Sequence, residues 1–303
     1  MENAKESWML DLAKAFPPAR INEPMSRHTT FRIGGPADAY VEARGLEQLT
    51  SLYRFAREWK IPVFLIGWGS NLLVRDGGIR GIVLRLRGRF EAIRFDGVEA
   101  HAGAGVRLPT LVAACAERGL TGAEPLVGVP GTIGGALVMN AGTRDREIGD
   151  LVRSVSVFDE DGFQERLLAA DRLGFRYRAS DLEGMVILGA HLKLKPDSKV
   201  DILKRVRDFQ KRRLQSQPVH TYNVGSTFKN PPGHFVARLI EQAGLKGMRC
   251  GGAVVSKKHA NFFENAHGAR AQDVLELAGL VRERVRDRFG VDLELEMKVV
   301  GEA

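Results

Sequence analysis

Val63-Phe64-Leu65-Ile66-Gly67-Trp68-Gly69-Ser70-Asn71-Leu72 is the stretch on which the reading of this chain turns. Its apolar start makes a short strand. The glycines at the strand end let backbone N–H groups come close to a phosphate, and Ser70 and Asn71 can add side-chain hydrogen bonds. The loop is not the G-x-G-x-x-G fingerprint, which needs a glycine where Leu72 stands and a helix afterwards; the residues that follow read as strand and turn. Taken alone, it is also compatible with a plain strand-end turn. A second run, Gly128-Val129-Pro130-Gly131-Thr132-Ile133-Gly134-Gly135-Ala136, shifts the balance, because seven of its nine residues are small or turn-forming and build little core. Two phosphate-approach loops in adjacent subdomains imply one extended dinucleotide between them.

Outward from these loops the chain has the rhythm of an α+β protein. After an N-terminal helix, residues 31–90 alternate short apolar runs with glycines: a strand at YVEA, a helix from Leu46 to Trp59, then strands at PVFLIG and GIVLRL. VEAHAGAGV opens a second segment, followed by a helix from Leu108 to Arg118, a glycine-rich loop from Val127 to Gly142, and strands at SVSVFD and MVILGAHLKL. A third segment from Lys204 holds helices at Phe235–Ala243 and Ala271–Phe289, and ends in a strand at LELEMKVVG. Gly290 stands just past the last helix, the usual stop position. With 303 residues, the chain exceeds one ordinary core. The expected division is 1–90, 91–203 and 204–303.

Composition narrows the class. Hydrophobic residues at 44% and charged residues at 27% are those of a soluble globular protein. Charged residues interrupt the first sixteen positions, so they lack the apolar stretch of a signal peptide or membrane span, and the protein is expected in the cytoplasm. Cys115 and Cys250 are too few for a disulfide framework and fit a reducing compartment. The formal charge of +8 raises the question of nucleic acid. In the densest basic run, KRVRDFQKRR from Lys204, Leu203, Val206 and Phe209 recur at helical spacing, which predicts an amphipathic helix with a solvated basic face. Only Phe209 could stack on a base, and an acidic small substrate explains the charge equally well, so neither a nucleic acid nor a membrane is expected as partner. The seven histidines are scattered, and no metal is expected.

Seven segments, in order, together resemble the UDP-N-acetylenolpyruvoylglucosamine reductase family. They are TFRIGGPA from Thr30, GWGSNLLV, VGVPGTIGGALVMNAG, FRYRAS, GSTFKNP, KKHANFFEN and the terminal LELEMKVVG. The resemblance covers nearly the whole chain. It implies a two-subdomain FAD-binding module of the vanillyl-alcohol-oxidase, or p-cresol methylhydroxylase (PCMH), type, followed by a C-terminal α+β substrate-binding domain. It is also what names the cofactors, FAD and NADPH, and the substrate, a UDP-N-acetylglucosamine enolpyruvyl ether. By the resemblance, NADPH reduces FAD, hydride then reaches C3 of the enolpyruvyl group, and negative charge develops at C2.

The resemblance assigns catalysis to Arg178, Ser226 and Glu296. Arg178 would face the substrate carboxylate, which its planar fork suits. Ser226 would give the proton to C2; a free hydroxyl is a poor acid and needs help, for which Lys229 is a local candidate. Glu296, preferred over Glu294 by resemblance alone, would act with Arg178 on the developing enol, best as a protonated carboxyl. Strand alternation puts both glutamates on one face and both leucines on the other. For the flavin, the matched positions are Gly67, Gly69, Ser70, Asn71, Leu72, Pro130, Gly131, Thr132, Gly134, Gly135 and Asn140; for the nucleotide sugar, Tyr177, Asn230, Lys246 and His259. The chain resembles the shorter family type, without an inserted tyrosine-bearing loop, and Val219–Val224 departs from the small residues expected before Gly225. An alcohol oxidase of the same cofactor fold would share the glycine loops but would not need an arginine, a serine and a glutamate in three matched motifs.

Overall fold

The computed structural model describes Glu2–Ala303, with side chains from Ser7 onward; Met1 and the charged side chains of positions 2–6 that enter the reading of the N-terminus lie outside the described residues. The chain forms two compact units. One comprises Met1–Arg20, Tyr40–Trp68 and Ile82–Arg212; the other comprises Ile21–Ala39, Gly69–Gly81 and Arg213–Ala303. This division differs from the contiguous segments expected from the sequence. Segments 21–39 and 69–81 group with the C-terminal part because their apolar residues Phe31, Ile33 and Leu73 lie in the same core as Phe228, Phe263 and Val281.

In the first unit a five-stranded sheet runs in the order Gln164–Ala169, Val152–Asp159, Val186–Lys193, Glu99–Gly103, Ile93–Asp96. Every neighbour is antiparallel. The helix Leu46–Trp59 buries Leu49, Leu52, Tyr53 and Ala56, the i, i+3, i+4, i+7 stripe of a one-sided helix. Its end is set by Lys60 in the left-handed conformation. It leads into the strand Val63–Ile66, which pairs in parallel with Ile82–Arg85. The helix Leu108–Glu117 has proline in its first turn, where no N–H partner is needed, and buries Leu108, Leu111, Val112, Cys115 and Ala116. The glycine-rich stretch 127–142 is not loop throughout: it contains a helix over Ile133–Val138.

The second unit has a four-stranded antiparallel sheet in the order Asn223–Ser226, Phe262–Asn265, Ala253–Val255, Arg249–Cys250. The helices Val236–Gln242 and Ala271–Phe289 accompany it. Phe228 and Phe263, both fully buried, meet edge to face at 5.9 Å. Of the expected terminal strand only Lys298–Val300 is regular, parallel to Leu72–Val74. Residues 291–297 form no regular strand, because they bond to the turn segment 227–229, which is itself no regular strand. The basic run lies on the helix Lys199–Ser216, where Ile202 is buried and Leu203, Val206 and Phe209 are half-buried. Arg205 on this helix pairs with Glu124 and Asp197. Among the described residues no helix is long and apolar enough to cross a membrane.

Candidate active site

The first glycine loop leaves the strand Val63–Ile66 directly, and its glycines are needed for space and conformation. A Cβ on Gly67 would stand 2.5 Å from the Thr132 hydroxyl oxygen, so the bare Gly67 backbone is what lets the threonine side chain of the second loop come this close. Gly69 has φ of +65°, and a Cβ there would overlap the His28 carbonyl oxygen. In the second loop Gly131 has φ of +144°. Gly134 approaches Ala104 so closely that a Cβ would come within 3.2 Å of the alanine methyl. Its N–H, like that of Ile133, is donated to a backbone carbonyl, Ala104 and Val106 respectively. Gly134 therefore offers a ligand an absence of side chain rather than a free amide.

Asn71 reaches in the other direction. Its Nδ2 donates to the Glu296 carbonyl at 3.1 Å, and its own carbonyl accepts the Lys298 N–H at 2.9 Å. Glu296 in turn donates its N–H to the Thr227 carbonyl at 2.8 Å, while Lys229 donates to the Glu294 carbonyl at 2.9 Å. The first glycine loop, the serine turn and the terminal acids thus share one backbone network inside the second unit. Asn261, buried, completes it: Phe228 N–H donates to its Oδ1 (3.0 Å) and its Nδ2 donates to the Phe228 carbonyl (2.8 Å). Before the serine, Asn223 Oδ1 accepts the Gly225 N–H at 3.0 Å, which orders the departing segment 219–224 as a side-chain-closed turn. Gly225 follows with φ of +80°.

The two glutamates differ. Glu294 is 73% exposed and its carboxylate pairs with the Lys229 ammonium at 2.5 Å. The lysine proposed to assist Ser226 is thus engaged with Glu294. Glu296 is half-buried. Near Lys229 in sequence, Asn230 Oδ1 accepts the N–H of Val236, the first residue of the helix Val236–Gln242, at 3.0 Å. Lys246 pairs with Glu241 at 2.5 Å. Burial holds the His259 imidazole below its ordinary pKa, with the Lys246 charge acting in the same direction, and His259 Nδ1 has no hydrogen-bond partner among the described residues.

Arg178 belongs to the first unit. It sits with Tyr177 at the tip of a turn closed by reciprocal hydrogen bonds between Arg176 and Ala179, 3.0 and 3.1 Å. Its guanidinium carbon lies 4.8 Å over the Tyr177 ring, and Nη1 is 3.5 Å from Glu147 Oε1. Asn140, only 3% exposed, binds Glu147 rather than open space. No motif in the sequence singles out Glu147; the one signal for it is an acid shortly after Asn140 and Gly142, and its contacts with Asn140 and Arg178 are tertiary. Among the described residues no group of three His, Cys, Asp or Glu side chains is placed to hold a metal.

Comparison with known proteins gives the family of the chain. Residues 37–167 match the family described as FAD binding domain, and residues 217–300 the family described as UDP-N-acetylenolpyruvoylglucosamine reductase, C-terminal domain. UDP-N-acetylenolpyruvoylglucosamine reductase 2 of Symbiobacterium thermophilum is 46% identical over 94% of this chain and 93% of its own. The chain belongs to the UDP-N-acetylenolpyruvoylglucosamine reductase family. The reductase of Rubrobacter xylanophilus is 44% identical over 96% of this chain and 98% of its own. The crystal structure of the Thermus caldophilus reductase superposes with a TM-score of 0.79 at 39% identity, covering 93% of this chain and 97% of that one.

As a member of the UDP-N-acetylenolpyruvoylglucosamine reductase family, the chain is an FAD-dependent oxidoreductase with an α+β fold. The residues present fit that cofactor. Gly67 and Gly131 carry no side chain, as close approach of the backbone to a diphosphate would require, and the Thr132 hydroxyl stands next to Gly67.

Proposed function

We propose that this protein reduces the enolpyruvyl ether of UDP-N-acetylglucosamine to UDP-N-acetylmuramate in the cytoplasm, with NADPH as reductant, as a step in making peptidoglycan precursors. The observation that carries this reading is the network in which Glu296 is bonded both to Asn71 of the first glycine loop and to Thr227 beside Ser226. One backbone arrangement thereby serves a flavin-binding loop, a hydroxyl and a carboxyl, the set the reaction requires.

Gly67, Gly69, Ser70, Asn71, Leu72, Pro130, Gly131, Thr132, Gly134 and Gly135 would hold the FAD, which when bound accepts hydride from NADPH and passes it to C3 of the enolpyruvyl group. As C3 gains hydride, electron density accumulates at C2 and spreads into the carboxylate. Arg178 meets that charge with a planar fork of donors, a contact that strengthens as the charge grows and so lowers the barrier. The Ser226 hydroxyl supplies the proton that C2 needs, and the bond count closes: one hydride and one proton convert the C2=C3 double bond into the lactyl ether. Glu296 donates a hydrogen bond from its protonated carboxyl to the enol oxygens. Asn230, Lys246 and His259 engage the nucleotide sugar, with Lys246 pairing the diphosphate, and Tyr177, 47% exposed, presents its ring beside the arginine. Asn140 serves the site by holding the second loop in place.

The test is spectroscopic. Purified protein should be yellow, and acid precipitation should release FAD into the supernatant, since no histidine or cysteine lies in the loops to link it. Anaerobic NADPH should bleach the colour, and the enolpyruvyl substrate should restore it with one equivalent of UDP-N-acetylmuramate formed. Protein without flavin, or bleached protein that this substrate leaves colourless, would overturn the reading.

A further inference from the structure

Arg178 is placed oddly for a residue of its type. Its φ of +55° is a left-handed backbone conformation that non-glycine residues rarely adopt, and it sits at the tip of a tight turn. A long side chain there has little of its own element to pack on. Besides the Tyr177 ring of its own turn, it meets residues 140–147: Nη2 donates to the Gly142 carbonyl at 3.3 Å, and Nη1 faces Glu147 Oε1 at 3.5 Å. The Arg178 side chain is 18% exposed as a result.

Glu147 is itself held from behind. Its other oxygen, Oε2, accepts the Asn140 Nδ2–H at 2.6 Å, and its backbone N–H donates to the Asp150 carboxylate at 3.1 Å. Asn140 has φ of +42° and is tied further, donating to the Arg176 carbonyl at 3.2 Å and accepting the Gly149 N–H at 3.0 Å. One buried asparagine therefore links the base of the arginine turn to the carboxylate that meets the arginine's tip. The connection runs Asn140 to Glu147 to Arg178 without a gap.

The geometry points to Glu147 as a positioning residue for Arg178, whose carboxylate fixes the guanidinium in the orientation that receives the substrate carboxylate; the assignment rests on the role proposed above for Arg178. Fixing the fork in advance removes the reorganisation that a mobile arginine would undergo at each turnover. A second purpose for Glu147 is visible, since its side chain also accepts the Asp150 N–H and caps the turn 148–151. A glutamine there keeps one acceptor oxygen for these donors and loses the charge that faces Arg178. Burial raises the Glu147 pKa, with Arg178 pulling it down and Asp150 pushing it up. A raised folded-state pKa means that the contribution to stability is present at low pH and lost as the carboxyl ionises. The cation that this carboxylate meets at close range is the Arg178 guanidinium, 3.5 Å away.

Glu147→Gln in the FAD-loaded protein tests this. Flavin reduction by NADPH should proceed at the wild-type rate. Re-oxidation by the enolpyruvyl substrate should slow by about 10- to 100-fold, the scale of a misplaced catalytic group. Thermal unfolding at pH 7 should stay cooperative with at most a modest loss, about that of one hydrogen bond, and calorimetric affinity for UDP-N-acetylmuramate should fall. In an Arg178→Lys background the same change should add little, because its target is already gone. Glu147→Asp, which keeps the charge on a shorter stem, should recover part of the rate. The inference is overturned if re-oxidation is unchanged, if the loss recurs in full with Arg178→Lys, or if the variant is unstable and both half-reactions fail. Should the wild-type protein itself not be re-oxidised by this substrate, the proposed function fails instead.

Discussion

The Glu296 N–H donates to the Thr227 carbonyl at 2.8 Å, joining the residue after Ser226 to a residue near the end of the chain. Beside it, the Lys229 N–H donates to the Glu294 carbonyl, and the Lys229 ammonium binds the Glu294 carboxylate. The two acids of the terminal pattern are thus sorted: Glu294 is exposed and has a cationic partner, and Glu296 lies with the first glycine loop.

From that sorting, Glu296→Gln should lower kcat by about 100- to 1000-fold, the usual loss for one group that stabilises developing charge, with KM for the enolpyruvyl substrate little changed. Glu294→Gln should leave both constants within about threefold, since exposed ion pairs contribute little. Steady-state kinetics on the two variants check this. Equal losses at both positions would remove the distinction.

Ser226→Ala separates the half-reactions. Its flavin should be reduced by NADPH at nearly the normal rate in anaerobic stopped flow, because no proton is delivered to C2 in that step. Re-oxidation by the substrate should slow by about 10²- to 10⁴-fold, the worth of general acid catalysis. Ser226→Cys, with a more acidic group at the same place, should keep part of the rate.

Asn261 makes two hydrogen bonds to the Phe228 backbone inside the core. Asn261→Ala leaves a buried N–H and C=O without partners, at about 1–3 kcal/mol each. Chemical denaturation should show a loss of several kcal/mol with an unchanged slope, and residual turnover should fall because the serine turn has lost its brace.

Gly67→Ala places a methyl 2.5 Å from the Thr132 hydroxyl oxygen, at the contact between the two glycine loops. The variant should purify with less flavin than wild type and show weaker FAD binding on reconstitution, read from the protein-to-flavin absorbance ratio. Full flavin content would mean that this contact lies away from the cofactor.

His259 gives a pH dependence. Burial lowers its folded-state pKa below the ordinary value of 6.5. As pH falls through 6.5 the unfolded chain takes up a proton that the folded protein resists, so the unfolded state binds more protons and stability falls with falling pH. His259→Gln should flatten the stability curve below pH 6.5, as measured by denaturation midpoints across that range.

The amino-acid sequence by itself determined the local elements. The helices Leu46–Trp59 and Ala271–Phe289 follow from apolar spacing, and the stop at Gly290 follows from its tolerance of positive φ, observed at +67°. These features depend on neighbours within a few residues, where backbone sterics and one-sided burial decide. The motif matches were equally legible, because glycines and prolines at turns are local demands too. Only the tertiary structure decided that 21–39 and 69–81 share a core with the C-terminal segment, that the terminal acids bond to the serine turn instead of forming a regular strand, and that Asn140 serves Glu147 and Arg178. Each of these joins groups far apart along the chain. Alternation in LELE is compatible with either glutamate facing the site, and no spacing rule links Asn71 to Glu296; such contacts form because the apolar core of Phe31, Leu73, Phe228 and Phe263 can be closed only by bringing those backbones together.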